Sequence, residues 1–215
     1  MNIVVFGASG RTGTKIVQQA LDVGQHVTAF VRNPTKTSFQ HPALTIFQGD
    51  ALDASTVDQA IAGQEAVISA LGPTRSSMPD NITDAGVMET AARNIVAAMH
   101  NHKIQRLIST TGAGVRDPED QPKLMDHLMK GLLTLLAGAV LRDSAANVEL
   151  IRASDLDWTI VRFPRLVDGE HTGIYRVGYI GKDSGTRISR ADAADFIVNE
   201  LIEGKYIRRA PMVSY

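Results

Sequence analysis

Cysteine is absent from the 215-residue chain, which excludes disulfides, thiolate nucleophiles and cysteine-held metals and fits a cytoplasmic protein. An excess of either charge is missing too. The 22 Lys and Arg against 23 Asp and Glu leave a formal net charge of −1, so no broad field draws the chain to nucleic acid or to an anionic membrane. No apolar run reaches the roughly 20 residues that cross a bilayer. The longest, GLLTLLAGAVL at 131–141, reads as a buried helix or as one that packs on a partner. Met1 leads straight into NIVVFG, with no basic leader or cleavage pattern to mark a targeting segment. The Gly-x-Ser-x-Gly, His-Glu-x-x-His and P-loop patterns do not occur, which removes three common catalytic signatures. His100 and His102 stand two apart and share no helical face, so they read as exposed helix-end residues. His127, after Asp126, reads as solvated or as lining a pocket. No metal is expected.

What the chain does have is a composition, 44% hydrophobic and 21% charged, that buries a sizeable core in one domain spanning 1–215. Strand-like and helix-like segments alternate. Strands are expected at 2–7, 25–32, 43–50, 65–72, 104–111 and 157–163, with helices near 11–23, 57–62, 83–102 and 123–153. Six strands alternating with helices imply an α/β fold with a parallel sheet covered on both faces, because each parallel pair needs a crossover. Towards the C-terminus, Ser189 and Asp192 resemble a capping box that opens a last helix, with Gly204 as its stop. The stretches 172–181 and 210–215 read as extra strands outside the core alternation, within a small C-terminal lobe of about 165–215 on the substrate side.

Gly7, Gly10 and Gly13 lie three apart, after the first strand and at the opening of the first helix. In that context Gly7 permits the tight turn, Gly10 lets backbone approach a pyrophosphate, and Gly13 allows close packing of helix on sheet. The N–H groups near Arg11 and Thr12 then point at the phosphates along the positive end of the helix dipole. Ser9 belongs with these loop contacts. It is not a nucleophile, since no histidine is placed to activate it. At the end of the second strand an NAD site usually carries Asp or Glu for the ribose hydroxyls; here the sequence reads FVRNP. Arg32, with Arg11 from the other side, favours the 2′-phosphate of NADP(H), although either arginine alone also reads as a surface cation.

Taken together, GASGRTG (7–13), VRN, GDALD (49–53), VISALG (67–72), ARNIVAAM (92–99), LDWTIVRFPRL (156–166) and ISRADAADFI (188–197) resemble an atypical short-chain dehydrogenase/reductase. The likeness is to the NAD(P)-binding group that includes NmrA-like proteins and biliverdin reductase B/flavin reductase. It implies a Rossmann-type doubly wound parallel sheet. It also implies Asp50 and Ala51 beside the adenine, Ala70, Leu71 and Gly72 along the cofactor channel, and Thr110 and Thr111 near the nicotinamide. Pro164 falls at the substrate mouth beside the cofactor, and Arg165 there stacks on a flat ring or pairs with a carboxylate. In flavin-reductase relatives the position matching Arg165 is in some cases histidine. Asp50 equally reads as a turn acid, and the two threonines as strand-end hydrogen-bonding groups.

One part of the usual machinery is missing. Typical members use Tyr four residues before Lys as proton donor, but none of Tyr175, Tyr179, Tyr206 and Tyr215 has Lys at that offset; Lys182 follows Tyr179 by three. Two expectations follow. In the first, the chain is an NADP(H)-dependent reductase of a flat conjugated small molecule, a flavin or quinone, with Thr110, Thr111 and Arg165 bordering the reacting face. In the second it is a non-catalytic NADP-binding redox sensor that regulates a partner. An epimerase acting on nucleotide sugars is disfavoured by the same missing tyrosine. A small-molecule substrate, no nucleic acid, no membrane, and a monomer or homodimer complete the reading.

Overall fold

Strand β1 (Asn2–Phe6) is buried over four of its five residues because it has a neighbour on each edge and a helical layer on each face. It pairs in parallel with β2 (His26–Val31), Val5 opposite Ala29, and with β4 (Ala66–Ser69), Val5 opposite Ile68. In the computed structural model, which describes residues 1–37, 39–72, 86–122 and 141–215, the order continues outward on both sides. With β3 (Leu44–Gln48), β5 (Arg106–Gly112), β6 (Asp157–Phe163), β8 (Arg176–Gly178) and β10 (Met212–Ser214), the main sheet runs β3-β2-β1-β4-β5-β6-β10-β8. Strands β7 (Arg165–Val167) and β9 (Arg187–Ser189) pair separately. The first six strands sit where the alternating pattern puts them. The two late stretches differ from expectation: only 176–178 and 212–214 become strands, and both extend the main sheet, β10 parallel to β6 and β8 antiparallel to β10.

Strand alternation divides the core in two. Ile3 and Val5 face one side with Ile16, Val17, Ala20 and Leu21 of α1 (Gly13–Asp22) and with Phe196, Ile197 and Leu201 of α5 (Arg190–Glu203). Val4 and Phe6 face the other with α2 (Ala54–Ile61), α3 (Val87–Asn101), and Val148 and Ile151 of α4, described over 141–152. Helix α1 stops at Gly24, whose φ of 79° suits a residue without Cβ. Helix α5 stops at Gly204 (φ 61°). Its expected capping box is half made. Ser189 Oγ accepts from the Asp192 N–H at 3.0 Å, but the Asp192 carboxylate turns away to Thr172, Gly173 and Tyr215.

His100 is exposed in the last turn of α3, and His102, the C-cap of that helix, is half-buried. His100 Nε2 meets Asp155 at 2.7 Å and His102 Nε2 meets Asp58 at 3.1 Å, so each has its own carboxylate and they hold no common ligand. Among the described residues no helix is long and apolar enough to cross a membrane, and no cluster of three metal-type ligands forms. Most of 131–141, together with Asp126, His127 and the starts of the third and fourth expected helices, lies outside the described residues.

Candidate functional site

The glycine loop leaves β1 at the carboxyl edge of the sheet, beside the end of β4. Gly7 has φ of 77°, and a Cβ there would stand 2.6 Å from the Ala70 carbonyl oxygen, so glycine is what lets the turn lie against β4. A Cβ on Gly13 would stand 2.0 Å from the Gly7 carbonyl oxygen, which fixes the close approach of α1 to the loop. Gly10 is different. It is exposed, and among the described residues a Cβ there would meet only Gly7 O, in a tight contact at 3.1 Å, so the cradle is otherwise open on the side a phosphate would use. The Arg11 and Thr12 N–H groups donate to no acceptor among the described residues, as expected of donors at a helix start. The loop therefore fits a dinucleotide pyrophosphate. Ser9 is exposed at its rim.

Arg32 follows β2 and is exposed, with no hydrogen bond from its guanidinium among the described residues. Its backbone is fixed by its neighbours. The Asn33 side chain caps the turn at Pro34–Lys36 through Thr35 N–H, 3.0 Å, and Gln48 reaches the Arg32 carbonyl. Asp50, after β3, accepts from Leu52 N–H at 3.0 Å and shapes its own turn, while its exposed carboxylate remains open to solvent. Ala51 is buried, and its carbonyl is held by Asn94 Nδ2 at 2.9 Å, a tether from α3 that local sequence does not reveal. Ala70, Leu71 and Gly72 follow β4 along the same edge, and among the described residues nothing lies within 4 Å of a Cβ built on Gly72. Thr110 and Thr111 sit half-buried in the last turns of β5, opposite Val161 and Arg162 of β6. Thr110 Oγ1 points across to the Ser69 carbonyl at 3.4 Å.

Pro164 and Arg165 begin a segment that walls this edge. Phe163 ends β6, and its carbonyl accepts from Ala113 N–H at 2.8 Å. Five residues on, Asp168 pairs with Arg11 in the glycine loop and with Arg190 at 2.8 Å. From β6 to β1 the sheet crosses three strand gaps, about 14 Å, a distance five extended residues span. Residues 164–168 thus lead from the end of β6 towards the glycine loop. Arg11 is accordingly engaged by Asp168 rather than alongside Arg32. Arg165 is exposed.

Buried ion pairs brace the loops around this edge. Arg162 has no exposed surface, and its guanidinium grips Asp120 bidentately at 2.8 and 2.8 Å, with further bonds to the Ala210 and Val115 carbonyls. Burial alone would raise the Asp120 carboxyl, but Arg162 outweighs it and holds the group below the usual range. Asp192 behaves alike: burial opposes ionisation, yet Tyr215, Gly173 and Thr172 bring its pKa down to about 2. Two tyrosine hydroxyls are held by carboxylates, while the buried Tyr179 Oη has no hydrogen-bond partner among the described residues. Tyr215 donates to Asp192 at 2.6 Å and Tyr175 to Asp195 at 2.7 Å. Burial first, then Asp195, pushes the Tyr175 phenol up, and burial does the same to Tyr179, whose ring lies 5.7 Å from the Arg162 guanidinium. A raised phenol is the opposite of what a lysine-assisted proton donor needs.

The parallel sheet, the glycine loop at its carboxyl edge and the open cradle define a dinucleotide-binding α/β protein. The chain belongs to the NAD(P)H-binding family, whose model matches residues 7–203. It is 28% identical over 212 residues to the uncharacterised protein YwnB of Bacillus subtilis, covering 94% of this chain and 92% of that one. It is 27% identical to the oxidoreductase stcQ of Emericella nidulans, over 74% of this chain and 62% of that protein. Of five further curated relatives, stcQ among them, the chain spans 30–62% of the length. Its fold matches a short-chain dehydrogenase/reductase of Veillonella parvula solved in complex with NADP, with a TM-score of 0.77, 21% identity, and 100% and 94% of the two chains covered.

Proposed function

We propose that the chain is an NADP(H)-dependent reductase that passes hydride to a flat, conjugated small molecule of flavin or quinone type. Its single Rossmann domain would act in the cytoplasm as a monomer or homodimer. The observation that carries the cofactor choice is Arg32: an exposed guanidinium stands at the end of β2 where a carboxylate would select NAD, and its backbone is fixed by Asn33 and Gln48. The bound dinucleotide supplies the hydride. The chain supplies position. Gly7, Gly10 and Gly13 with the Arg11 and Thr12 N–H groups seat the pyrophosphate, Asp50 and Ala51 border the adenine, and Ala70, Leu71 and Gly72 line the channel. Thr110, Thr111, Pro164 and Arg165 border the reacting face. No tyrosine is followed four residues later by lysine, so the reading favours an acceptor whose proton comes from water after hydride arrives.

Arg32→Ala should weaken NADPH by roughly tenfold or more while leaving NADH nearly unchanged; equal loss for both removes Arg32 from this role. The missing tyrosine–lysine pair also suits a second reading, a non-catalytic NADP-binding sensor. NADPH oxidation with a panel of flavins and quinones separates the two. Turnover on any acceptor supports the reductase, and tight nucleotide binding without turnover supports the sensor.

A further inference from the structure

We infer that Arg165 and Arg187 form one anion-binding pair at the mouth of the cleft, and that the acceptor carries a phosphate or carboxylate which this pair holds. The two residues are directly opposite one another in the β7–β9 ribbon, so their side chains leave on the same face with Cβ atoms about 5 Å apart. The ribbon has a buried side, where Ile188 has no exposed surface and Leu166 packs on the core beneath. Strand alternation then puts Arg165 and Arg187 together on the outer side, and both are exposed. Like charges so placed repel. Among the described residues no carboxylate lies between them: Asp168, the nearest acid along β7, is taken by Arg11 and Arg190.

Most arginines described elsewhere in this chain have an acidic partner, as Arg93, Arg106, Arg152 and Arg162 do. Local charge points the same way, since residues 164–190 hold five Lys and Arg against three Asp and Glu in a chain whose net charge is −1. Two planar forks on one ribbon face match the oxygens of a phosphate or carboxylate, which would relieve the repulsion that the bare pair carries. Arg165 stands two residues after Phe163, which lies opposite Gly112 at the end of β5, so an anion held there leaves the rest of a flat molecule within reach of Thr110 and Thr111.

This inference rests on the reductase reading for the position of the acceptor, so the test includes a measurement without turnover. Riboflavin and flavin mononucleotide share one ring system and differ by a phosphate. With NADP-loaded protein at low salt, quenching of flavin fluorescence should show the mononucleotide binding about tenfold or more tighter than riboflavin. A sulfonated quinone against its neutral parent asks the same of a second anion. Arg165→Gln and Arg187→Gln should each reduce the preference several-fold, and the double variant should bring it near unity. Arg187→Lys should keep part of it. Arg176→Gln removes an exposed arginine of β8 outside the ribbon and should leave the preference as it is. Rising salt should erode the preference. Folded Arg165→Gln and Arg187→Gln proteins with the parent preference, or a parent protein with none, would overturn the pair. NADPH oxidation in the same cuvettes reports on the reductase reading separately: a phosphate preference that depends on both arginines, with no turnover, keeps the anion pair and rejects the reductase.

Discussion

Replacing Asp120 by alanine tests how the loop after β5 is held. The carboxylate accepts two bonds from Arg162, one from Ile180 N–H at 3.0 Å and one from Asp117 N–H at 2.8 Å. Its loss leaves a guanidinium with no exposed surface in contact with only the Ala210 and Val115 carbonyls. Stranding one member of a buried ion pair costs about 3–5 kcal/mol, a large fraction of the roughly 5–15 kcal/mol that holds a domain of this kind together. Arg162→Met removes the charge along with its need for a partner, and Asp120 then keeps its two backbone donors and an edge nearer water, so about 2 kcal/mol is expected. The double variant Asp120→Ala/Arg162→Met should be more stable than Asp120→Ala alone. Urea unfolding at neutral pH, read as a midpoint shift at constant slope, measures all three. The sign with pH follows from the depressed carboxyl: the stabilisation is present above the ordinary carboxylate range and is lost as pH falls below it. A cost under about 1 kcal/mol for Asp120→Ala, or a double variant whose loss equals the sum of the two singles, would refute the pairing as the brace of this loop.

Other outcomes follow from the same contacts. Gly13→Ala puts a methyl 2.0 Å from backbone oxygen and should cost about 3 kcal/mol or prevent folding, whereas Gly10→Ala should leave the urea midpoint nearly unchanged and weaken nucleotide binding in a titration. Asp192, near 2 when folded against 3.8 otherwise, should contribute about 2–3 kcal/mol that is fully present above pH 5 and lost as pH falls towards 2; Asp192→Asn should flatten that acid limb in pH-dependent melts. Asp168→Asn removes an exposed partner of Arg11. It should leave the urea midpoint nearly unchanged yet tighten NADPH severalfold at low salt by calorimetry, since Arg11 and Arg190 lose their competing carboxylate.

Local chemistry made the sheet readable. Four consecutive apolar residues in β1, the stop at Gly24 and the run 157–163 each determine an element without help from afar, and the structure keeps them within a few residues. The segment after β6 was harder because its strands are three residues long and owe their existence to partners. Met212–Ser214 is a strand because β6 and β8 lie on either side of it. Asp192 shows the limit well. Its spacing from Ser189 says capping box, but a buried carboxylate takes the strongest donors within reach. The Tyr215 and Thr172 hydroxyls and the Thr172 and Gly173 N–H groups, remote in sequence, supply four bonds where Ser189 N–H would supply one.

The site divides along the same line. The glycines could be read from spacing because each answers a demand made within its own turn, the positive φ at 7 and the approach of 13 to 7, while the contact of 7 with 70 comes from β4. Arginine carries no such local demand. A guanidinium reaches far enough that its partner is chosen by the fold, so Arg11 reads in sequence as a companion of Arg32 and goes instead to a carboxylate 157 residues away. That exchange reassigns the two charges. On the proposed reading, Arg32, with its head group open, would be the one left to answer a 2′-phosphate, while Arg11 would tie the glycine loop to the segment bearing Pro164 and Arg165. If so, severing Arg11 and severing Arg32 should have different signatures. Arg32→Ala should change the ratio of NADPH to NADH affinity. Arg11→Ala should instead change both nucleotides alike and raise KM for the acceptor, because the segment bearing Pro164 and Arg165 loses its far anchor. Steady-state kinetics with both nucleotides and one flavin decide it, and an Arg11→Ala effect confined to NADPH would return that residue to the 2′-phosphate.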